Sequence, residues 1–167
     1  MVDKKIDYQT QLEIEQFLYQ VSEACDNQDW DLYLSFFTDE SIFHIPQWKS
    51  EHEYTKDPTK EMSLMYYGNR GGLEDRVFRI RTGKSAASTP MPRTVHNINN
   101  VRYQQEGDLF KVNVNWSTNY YRFGQTGLFF GYAYYDLVKG DQGFKIAYKQ
   151  VILLNDKIDS VLDFYHV

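Results

Sequence analysis

The chain has 167 residues and a mass of 19.8 kDa, which fits a single domain that spans the whole of residues 1–167 and builds its own core. Charged residues make up 25% of the chain, aromatic residues make up 17%, and the net charge is -5. No apolar run approaches the roughly 20 residues of a membrane span, and a net acidic chain without a basic stripe is a poor partner for nucleic acid.

The first third of the chain predicts two amphipathic helices. Apolar residues at three- and four-residue spacing, from Ile14 to Cys25, predict a helix over residues 8–26. Asn27 is suited to its C-terminal exit. Asp29 is placed to cap a second helix, whose apolar stripe occupies residues 30–37.

The next segment is punctuated by prolines and glycines. A short strand is expected over residues 42–45 because Pro46 stops it, and a polar loop follows to residue 58. We expect a short helix over residues 59–68 and a third helix after Gly71. Residues 85–92 form a loop that is rich in small residues and proline.

From Arg93 onward the hydrophobic period changes from 3.6 to 2. Residues 110–120 alternate strictly between apolar and polar, which predicts a half-buried antiparallel strand. Further strands are expected over residues 93–104, 128–138 and 144–154. Helices followed by a long meander indicate an α+β fold, in which a curved antiparallel sheet wraps around the N-terminal helices as a cone.

The mouth of such a cone is a candidate site for general acid–base chemistry. Five residues on the expected strands could face one cavity: His44, His96, Tyr120, Asp136 and Tyr148. The last three share the parity of apolar residues on their strands, and a buried Asp among aromatic rings would have a perturbed pKa. The alternative, which we favour, is that tyrosines fill the cone and that Asp136 pairs with a cation or with tyrosine hydroxyls.

Metal and nucleophilic chemistry find little support in the sequence. The four histidines lack the close spacing of a metal site, so no metal is expected in this chain. Cys25 is the only cysteine, and its place on an apolar helix face is typical of a small buried hydrophobe. One cysteine excludes a disulfide framework, a four-cysteine zinc site and a self-contained iron–sulfur cluster.

Six arginines lie within residues 62–102, whereas the acidic residues concentrate in residues 1–61. These arginines either pair with the acidic segment inside one subunit or serve an interface, where arginine is favoured. The apolar end of the chain, residues 161–167, packs either on its own sheet or on another chain.

Several segments carry a resemblance to a known family. Residues 61–67, 69–80, 93–98 and 161–166 are similar to the small (β) subunits of Rieske non-haem iron aromatic-ring-hydroxylating dioxygenases, and the likeness runs from about residue 12 to the end. More narrowly, the chain resembles the benzoate and anthranilate group. Residues 89–94 are among those closer to the anthranilate enzymes, so the conversion of anthranilate to catechol is favoured and benzoate comes second.

The resemblance implies a cone of the NTF2-like or cystatin-like type and a structural role without catalytic residues or cofactors in this chain. It implies that a partner large (α) subunit carries the Rieske [2Fe-2S] cluster and the mononuclear Fe(II), with NADH supplying electrons through a reductase component. It further implies an α3β3 assembly with contacts between β subunits. Neither a secretory signal nor a membrane span opens the chain, so a cytoplasmic location is expected.

The resemblance also directs attention to subunit contacts. The candidate contact residues are Trp48, Arg70, Glu74, Asp75, Arg76, Arg79, Phe164, Tyr165 and His166. Residues 69–79 are favoured among them, because charge-assisted arginine contacts fix register. The alternative is that Arg76 and Asp75 tie the third helix to its own sheet. The competing functions are a stand-alone lyase, isomerase or dehydratase that uses His44, His96 and Asp136, and a ligand-binding accessory domain.

Overall fold

The computed structural model describes residues 7–159 and 161–167. Helix α1 spans Tyr8–Asp26, α2 spans Trp30–Ser35 and α3 spans Gly71–Arg81. The predicted boundaries of α1 are confirmed: its N-cap Asp7 accepts a hydrogen bond from the Gln9 amide, and Asn27 is the C-cap.

The described strands form one six-stranded sheet. They are β1 (Phe37–Pro46), β2 (Ser63–Tyr67), β3 (Arg93–Glu106), β4 (Leu109–Arg122), β5 (Gln125–Gly140) and β6 (Gly143–Leu153). Their order across the sheet is β2-β1-β6-β5-β4-β3, and all neighbours are antiparallel except β1 and β6. The α+β fold is confirmed, and the sheet is mixed because this one pair is parallel.

The alternation predicted over residues 110–120 is confirmed in β4. Val112, Val114 and Trp116 belong to the same buried cluster as Ile14 and Phe17 of α1. The face of the sheet that meets the helices is called the inner face, and the opposite one is the outer face. The helices therefore cover one face, and the outer face carries no helix among the described elements.

Two expected elements differ from the structure. The short helix over residues 59–68 is wrong, because residues 63–67 form β2 and pair with β1, for instance Tyr67 opposite Phe43. In so short an apolar run the helical and strand periods look alike, and pairing with a neighbouring strand decides between them. Strand β1 also begins at Phe37, earlier than the expected residue 42, so α2 is shorter than its predicted apolar stripe.

The end of the chain packs on its own subunit. A 3-10 turn, Phe164–His166, is capped by the Asp163 side chain and lies in the core. The ring of Phe164 lies 5.4 Å from the ring of Trp30 and 5.5 Å from that of Tyr33. Of the two alternatives for this segment, the structure selects packing on its own helices and sheet.

Candidate functional site

The five acid–base candidates do not converge on one cavity. Tyr120 lies on the inner face, where its ring stacks on Phe129 at 5.1 Å. Asp136 and Tyr148 are cross-strand partners on the outer face, because the inner face of β5 is formed by the odd-numbered positions such as Tyr135. The expectation that Asp136 and Tyr148 share the parity of the core was wrong.

Asp136 lies between two polar residues of the neighbouring strands. Its partner on β4 is Lys111, and its partner on β6 is Tyr148. Burial raises the pKa of the Asp136 carboxyl, and the nearby Lys111 ammonium opposes this effect. Among the described residues, no ion pair or side-chain hydrogen bond joins Asp136 to Lys111 or Tyr148, and the Lys111 ammonium pairs instead with Glu106 at 3.0 Å. The expected pairing of Asp136 is therefore not observed.

His44 is a buried histidine whose two ring nitrogens both have partners. Its neighbour Phe43 lies opposite Lys149 on the inner face, so His44 points to the outer face. Nε2 lies 2.9 Å from the Ser63 hydroxyl, and Nδ1 lies 3.3 Å from the Gln150 side-chain nitrogen. Burial lowers the pKa of His44, which keeps the imidazole neutral. Such an arrangement holds the strands together and offers no free base.

His96 belongs to a buried dyad that ties α1 to β3. Its Nδ1 lies 2.5 Å from an Asp26 carboxylate oxygen, which also accepts a hydrogen bond from the Thr94 hydroxyl at 2.8 Å. Burial alone would raise the pKa of Asp26, but the hydrogen bonds from His96 and Thr94 outweigh it and lower that pKa. The His96 Nε2 atom is buried without a hydrogen-bond partner among the described residues.

The interior of the cone is almost filled. A cavity of about 10 Å³ remains, bordered by Tyr33, His96, Trp116 and Lys149 among others. A space of this size accommodates at most about one water molecule. The interpretation that aromatic side chains fill the cone is therefore supported, and the described interior has no room for an organic substrate.

Lys149 is the interior residue that sequence reasoning missed. Its ammonium donates to the main-chain oxygen of Val167 at 3.0 Å and lies 5.4 Å from the ring centroid of Phe43. Burial lowers the pKa of Lys149 to about 8, and burial raises the pKa of the neighbouring Cys25 thiol to about 12. A signal was available, because Lys149 shares the parity of Val151 on β6.

Most of the candidate contact residues hold their own subunit together. Arg70 donates to the Asp39 and Glu74 carboxylates at 2.7 and 2.8 Å. Arg76 pairs with the fully buried Asp163, so it ties α3 to the end of the chain rather than to the sheet. These pairs favour the intramolecular alternative for the two arginines.

The proposed contacts through Phe164, Tyr165 and His166 need correction. All three side chains are buried in the core of their own chain, and the His166 ring lies 5.2 Å from the Tyr120 ring. In this conformation they are not available to another subunit. Burial lowers the pKa of His166 to about 4, so the ring stays neutral at neutral pH.

Trp48, Asp75 and Arg79 keep accessible surface. Trp48 is half-buried, with its indole nitrogen donating to the Leu153 oxygen at 2.6 Å. Asp75 and Arg79 are exposed on α3 and flank Phe78, whose side chain is 70% exposed. An exposed aromatic between charges is typical of a protein contact, and sequence reasoning did not single out Phe78.

Within residues 7–159 and 161–167, no three histidine, cysteine, aspartate or glutamate side chains are grouped so that they could hold a metal ion. No helix in the described part of the chain has the length and apolar content that crossing a membrane requires.

Comparison with known proteins agrees with the resemblance. The family described as ring hydroxylating beta subunit matches residues 21–160. The anthranilate 1,2-dioxygenase small subunit of Acinetobacter baylyi is 52% identical over 155 residues, which cover 92% of this chain and 95% of that protein.

Solved structures support the same family and the cone. The β subunit of benzoate 1,2-dioxygenase from Burkholderia mallei is 38% identical, with a TM-score of 0.79 over 98% of this chain and 99% of the other. A Nostoc punctiforme protein with a cystatin-like fold is 11% identical, with a TM-score of 0.56 over 89% and 92% of the two chains. The second likeness concerns the fold alone and confirms the cystatin-like cone.

Proposed function

Because the chain belongs to the ring-hydroxylating dioxygenase β-subunit family, we propose that it is the structural, non-catalytic subunit of a dioxygenase that acts on an aromatic carboxylate. Anthranilate is the favoured substrate, with catechol as product, and benzoate is second. The observation that carries this proposal is the 52% identity to an anthranilate 1,2-dioxygenase small subunit along nearly the whole chain.

The geometry supports an assembly role over a stand-alone lyase, isomerase or dehydratase. His96, His44 and Asp136 are divided between two faces of the sheet. The space inside the cone is about 10 Å³, far below the several hundred Å³ of a small-molecule pocket. Whatever this chain contributes to turnover, it contributes through its surface.

The residues of this chain do not fit the redox cofactors of the family. A Rieske centre takes two cysteines and two histidines, whereas Cys25 is the single cysteine and lies buried among apolar side chains. The cluster and the mononuclear iron are therefore assigned to the partner large subunit, and NADH to a reductase component. In an α3β3 assembly in the cytoplasm, this chain would hold the large subunits in register for electron transfer between neighbouring protomers.

For the large-subunit contact we propose the exposed side of α3. Asp75 and Arg79 supply charges, and Phe78 supplies an apolar anchor between them. Trp48, which is half-buried just after the end of β1, is a second candidate for this contact. Arg70 and Arg76 act on this surface indirectly, because they anchor the beginning and the middle of α3, the helix that presents it.

Co-expression of the tagged chain with the large-subunit gene of the same host tests this function. We expect a larger red-brown partner with a Rieske absorption spectrum to co-purify, and oxygen uptake with its reductase to be faster on anthranilate than on benzoate. A chain that purifies alone and colourless from such cells would contradict the proposal. Preference for benzoate would overturn only the choice of substrate.

A matched pair of variants tests the contact. Arg79→Glu should lower the yield of co-purified large subunit about tenfold, since reversing a contact charge leaves it opposed by its partner. Arg81→Glu is the control on the same helix, because Arg81 is already engaged by Asp31 of its own chain and is exposed. Equal loss in both variants would remove the specific role of Arg79.

A further inference from the structure

The end of the β4–β5 hairpin exposes aromatic and aliphatic side chains without the charges that normally accompany them. Among residues 112–135, Arg122 is the only charged one, in a chain whose net charge is -5. The exposed side chains here are Tyr121, Phe123, Leu128, Phe130 and Tyr132. Depletion of charge together with enrichment in Tyr, Phe and Arg is the composition of a protein interface.

Phe123 stands out within this hairpin for its backbone. Its side chain is 73% exposed, and its φ of 53° places it in the left-handed region, followed by Gly124 with φ of 77°. Two-residue hairpin turns with two positive φ values favour Asn-Gly, and a bulky side chain at the first position is disfavoured. Neither folding nor solubility accounts for a phenylalanine here, whereas a contact with a partner does.

Arg122 makes the tip rigid. Its guanidinium carbon lies 4.6 Å from the centroid of the Phe123 ring, and its nitrogens donate to main-chain oxygens of the 86–90 loop. The donor distance to the Pro90 oxygen is 2.9 Å, and that to the Ala86 oxygen is 2.7 Å. The aromatic ring is thus presented in a fixed orientation, which lowers the entropy that binding costs.

A groove with a mixed apolar and polar lining lies elsewhere on the same chain, beside the edge strand β2. Its volume is about 490 Å³, and its lining includes Leu64, Met65, Tyr67, Val161 and Leu162. The one charged group in the lining is Arg76, whose guanidinium is engaged by Asp163. We name this surface the β2 groove. It is large enough to receive an aromatic ring and is free of unpaired charge.

We propose that Phe123 of one copy inserts into the β2 groove of a second copy of this chain. Two copies that each carry a net charge of -5 repel each other, so a self-contact is favoured where neither surface adds negative charge. The hairpin carries only the Arg122 cation, and Arg76 in the groove is paired with Asp163. In the sheet, β1 and β6 lie between β2 and β5, so the projection and the groove are different, separated elements. A contact between unlike surfaces is head-to-tail, and such contacts close copies into a ring when the rotation from one copy to the next divides a full turn. This contact rests on the proposed function, since it supplies the β–β contacts of that assembly.

Sedimentation velocity of the purified full chain over a range of concentrations tests the contact. Phe123→Asn should weaken self-association about tenfold or more, while the fold is retained because asparagine tolerates the left-handed turn. Phe78→Gln is the matched control, since Phe78 is as exposed as Phe123 but lies in ordinary helical backbone, and it should self-associate like the wild type. Val161→Arg, which places a charge in the β2 groove, should weaken self-association as strongly as Phe123→Asn.

Mixing the two defective variants gives the decisive result. Phe123→Asn keeps a functional groove and Val161→Arg keeps a functional projection, so together they should form a 1:1 dimer that cannot grow. A monomeric wild type, unaffected self-association of Phe123→Asn, or no dimer in the mixture would each overturn the proposal.

The large subunit is the other possible occupant, and co-purification from co-expressing cells distinguishes it. If the wild type is monomeric alone and Phe123→Asn loses the large subunit, the hairpin contacts that subunit, and the self-contact is refuted while the proposed function stands. If the wild type itself captures no large subunit, the proposed function fails independently of the hairpin.

Discussion

Replacement of Lys149 by methionine should change how stability depends on pH, and the structure fixes the size of the effect. Lys149 is 4% exposed, and burial lowers the pKa of its ammonium from 10.5 to about 8. That difference corresponds to about 3 kcal/mol by which folding disfavours the charged form. Methionine removes this cost but leaves the Val167 oxygen without its donor, which costs about 2 kcal/mol. We therefore expect Lys149→Met to be about 1 kcal/mol more stable than the wild type at pH 7.

The sign of the pH dependence follows from proton binding. Between about pH 8 and pH 10.5 the unfolded chain keeps the Lys149 proton while the folded chain has released it, so wild-type stability gains with rising pH. From pH 7 to pH 9 the gain in unfolding free energy due to this lysine is about 1 kcal/mol. The advantage of Lys149→Met should disappear over this range. Cys25 ionises in the unfolded chain above about pH 9 and acts in the opposite direction, but it does so equally in both proteins.

Urea unfolding at pH 7, 8 and 9 measures the difference directly. Lys145→Met is the matched control, because Lys145 is an exposed lysine on the same strand and its replacement should shift stability equally at all three values. A Lys149→Met difference that stays constant from pH 7 to pH 9 would refute the inference that this ammonium is buried and charged at neutral pH.

Three further predictions concern stability. Arg76→Ala should lower the free energy of unfolding by about 3–5 kcal/mol, because the buried Asp163 loses the cation that it pairs with. Arg79→Ala replaces an exposed residue and should stay within about 0.5 kcal/mol of the wild type. Urea denaturation measures both differences. Lowering the pH from 7 to 5 should reduce the free energy of unfolding by about 2 kcal/mol through His166. The imidazole binds a proton in the unfolded chain but stays neutral in the folded chain, where its pKa is about 4. In chemical denaturation, His166→Phe should therefore lose less stability than the wild type between pH 7 and pH 5. Gly131→Ala should prevent close pairing of β5 with β6, because the added methyl group would overlap the Ile152 carbonyl oxygen. Gly140→Ala is the control, since its methyl group would lie 3.8 Å from the nearest atom. We expect a lower melting temperature for Gly131→Ala alone.

The elements that were predicted well are those whose residues carry a long, unbroken period. Helix α1 has six buried apolar positions on one face and caps at both ends, so its limits could be predicted directly from the sequence. Strand β4 alternates over more than ten residues, and only one of its faces meets the core. In such segments burial alone imposes the pattern, and no knowledge of the neighbours is required.

The elements that were missed depend on neighbours far away in the sequence. β2 has five residues and becomes a strand because β1 offers it an edge. The face of Asp136 could not be read because β5 carries aromatic residues at both parities, Tyr134 facing outward and Tyr135 inward. A bulge between Asp136 and Leu137 shifts the register with β6 at the same point. An interface adds a second apolar face, and that face removes the alternation from which the inner side is recognised.

The same reasoning explains why the sequence predicted a candidate site inside the cone, whereas the structure favours one on the surface. Sequence patterns report apolar side chains without saying which of them another part of the chain will cover. The end of the chain brings Phe164 and Tyr165 into the core and sets the Val167 oxygen on the Lys149 ammonium, so the space in which His96 could have met a ligand is occupied. With the interior closed by the chain itself, the two most exposed phenylalanines, Phe78 on α3 and Phe123 on the hairpin, are the side chains for which we propose partners. We therefore propose that this subunit influences catalysis through the positions in which it holds its neighbours.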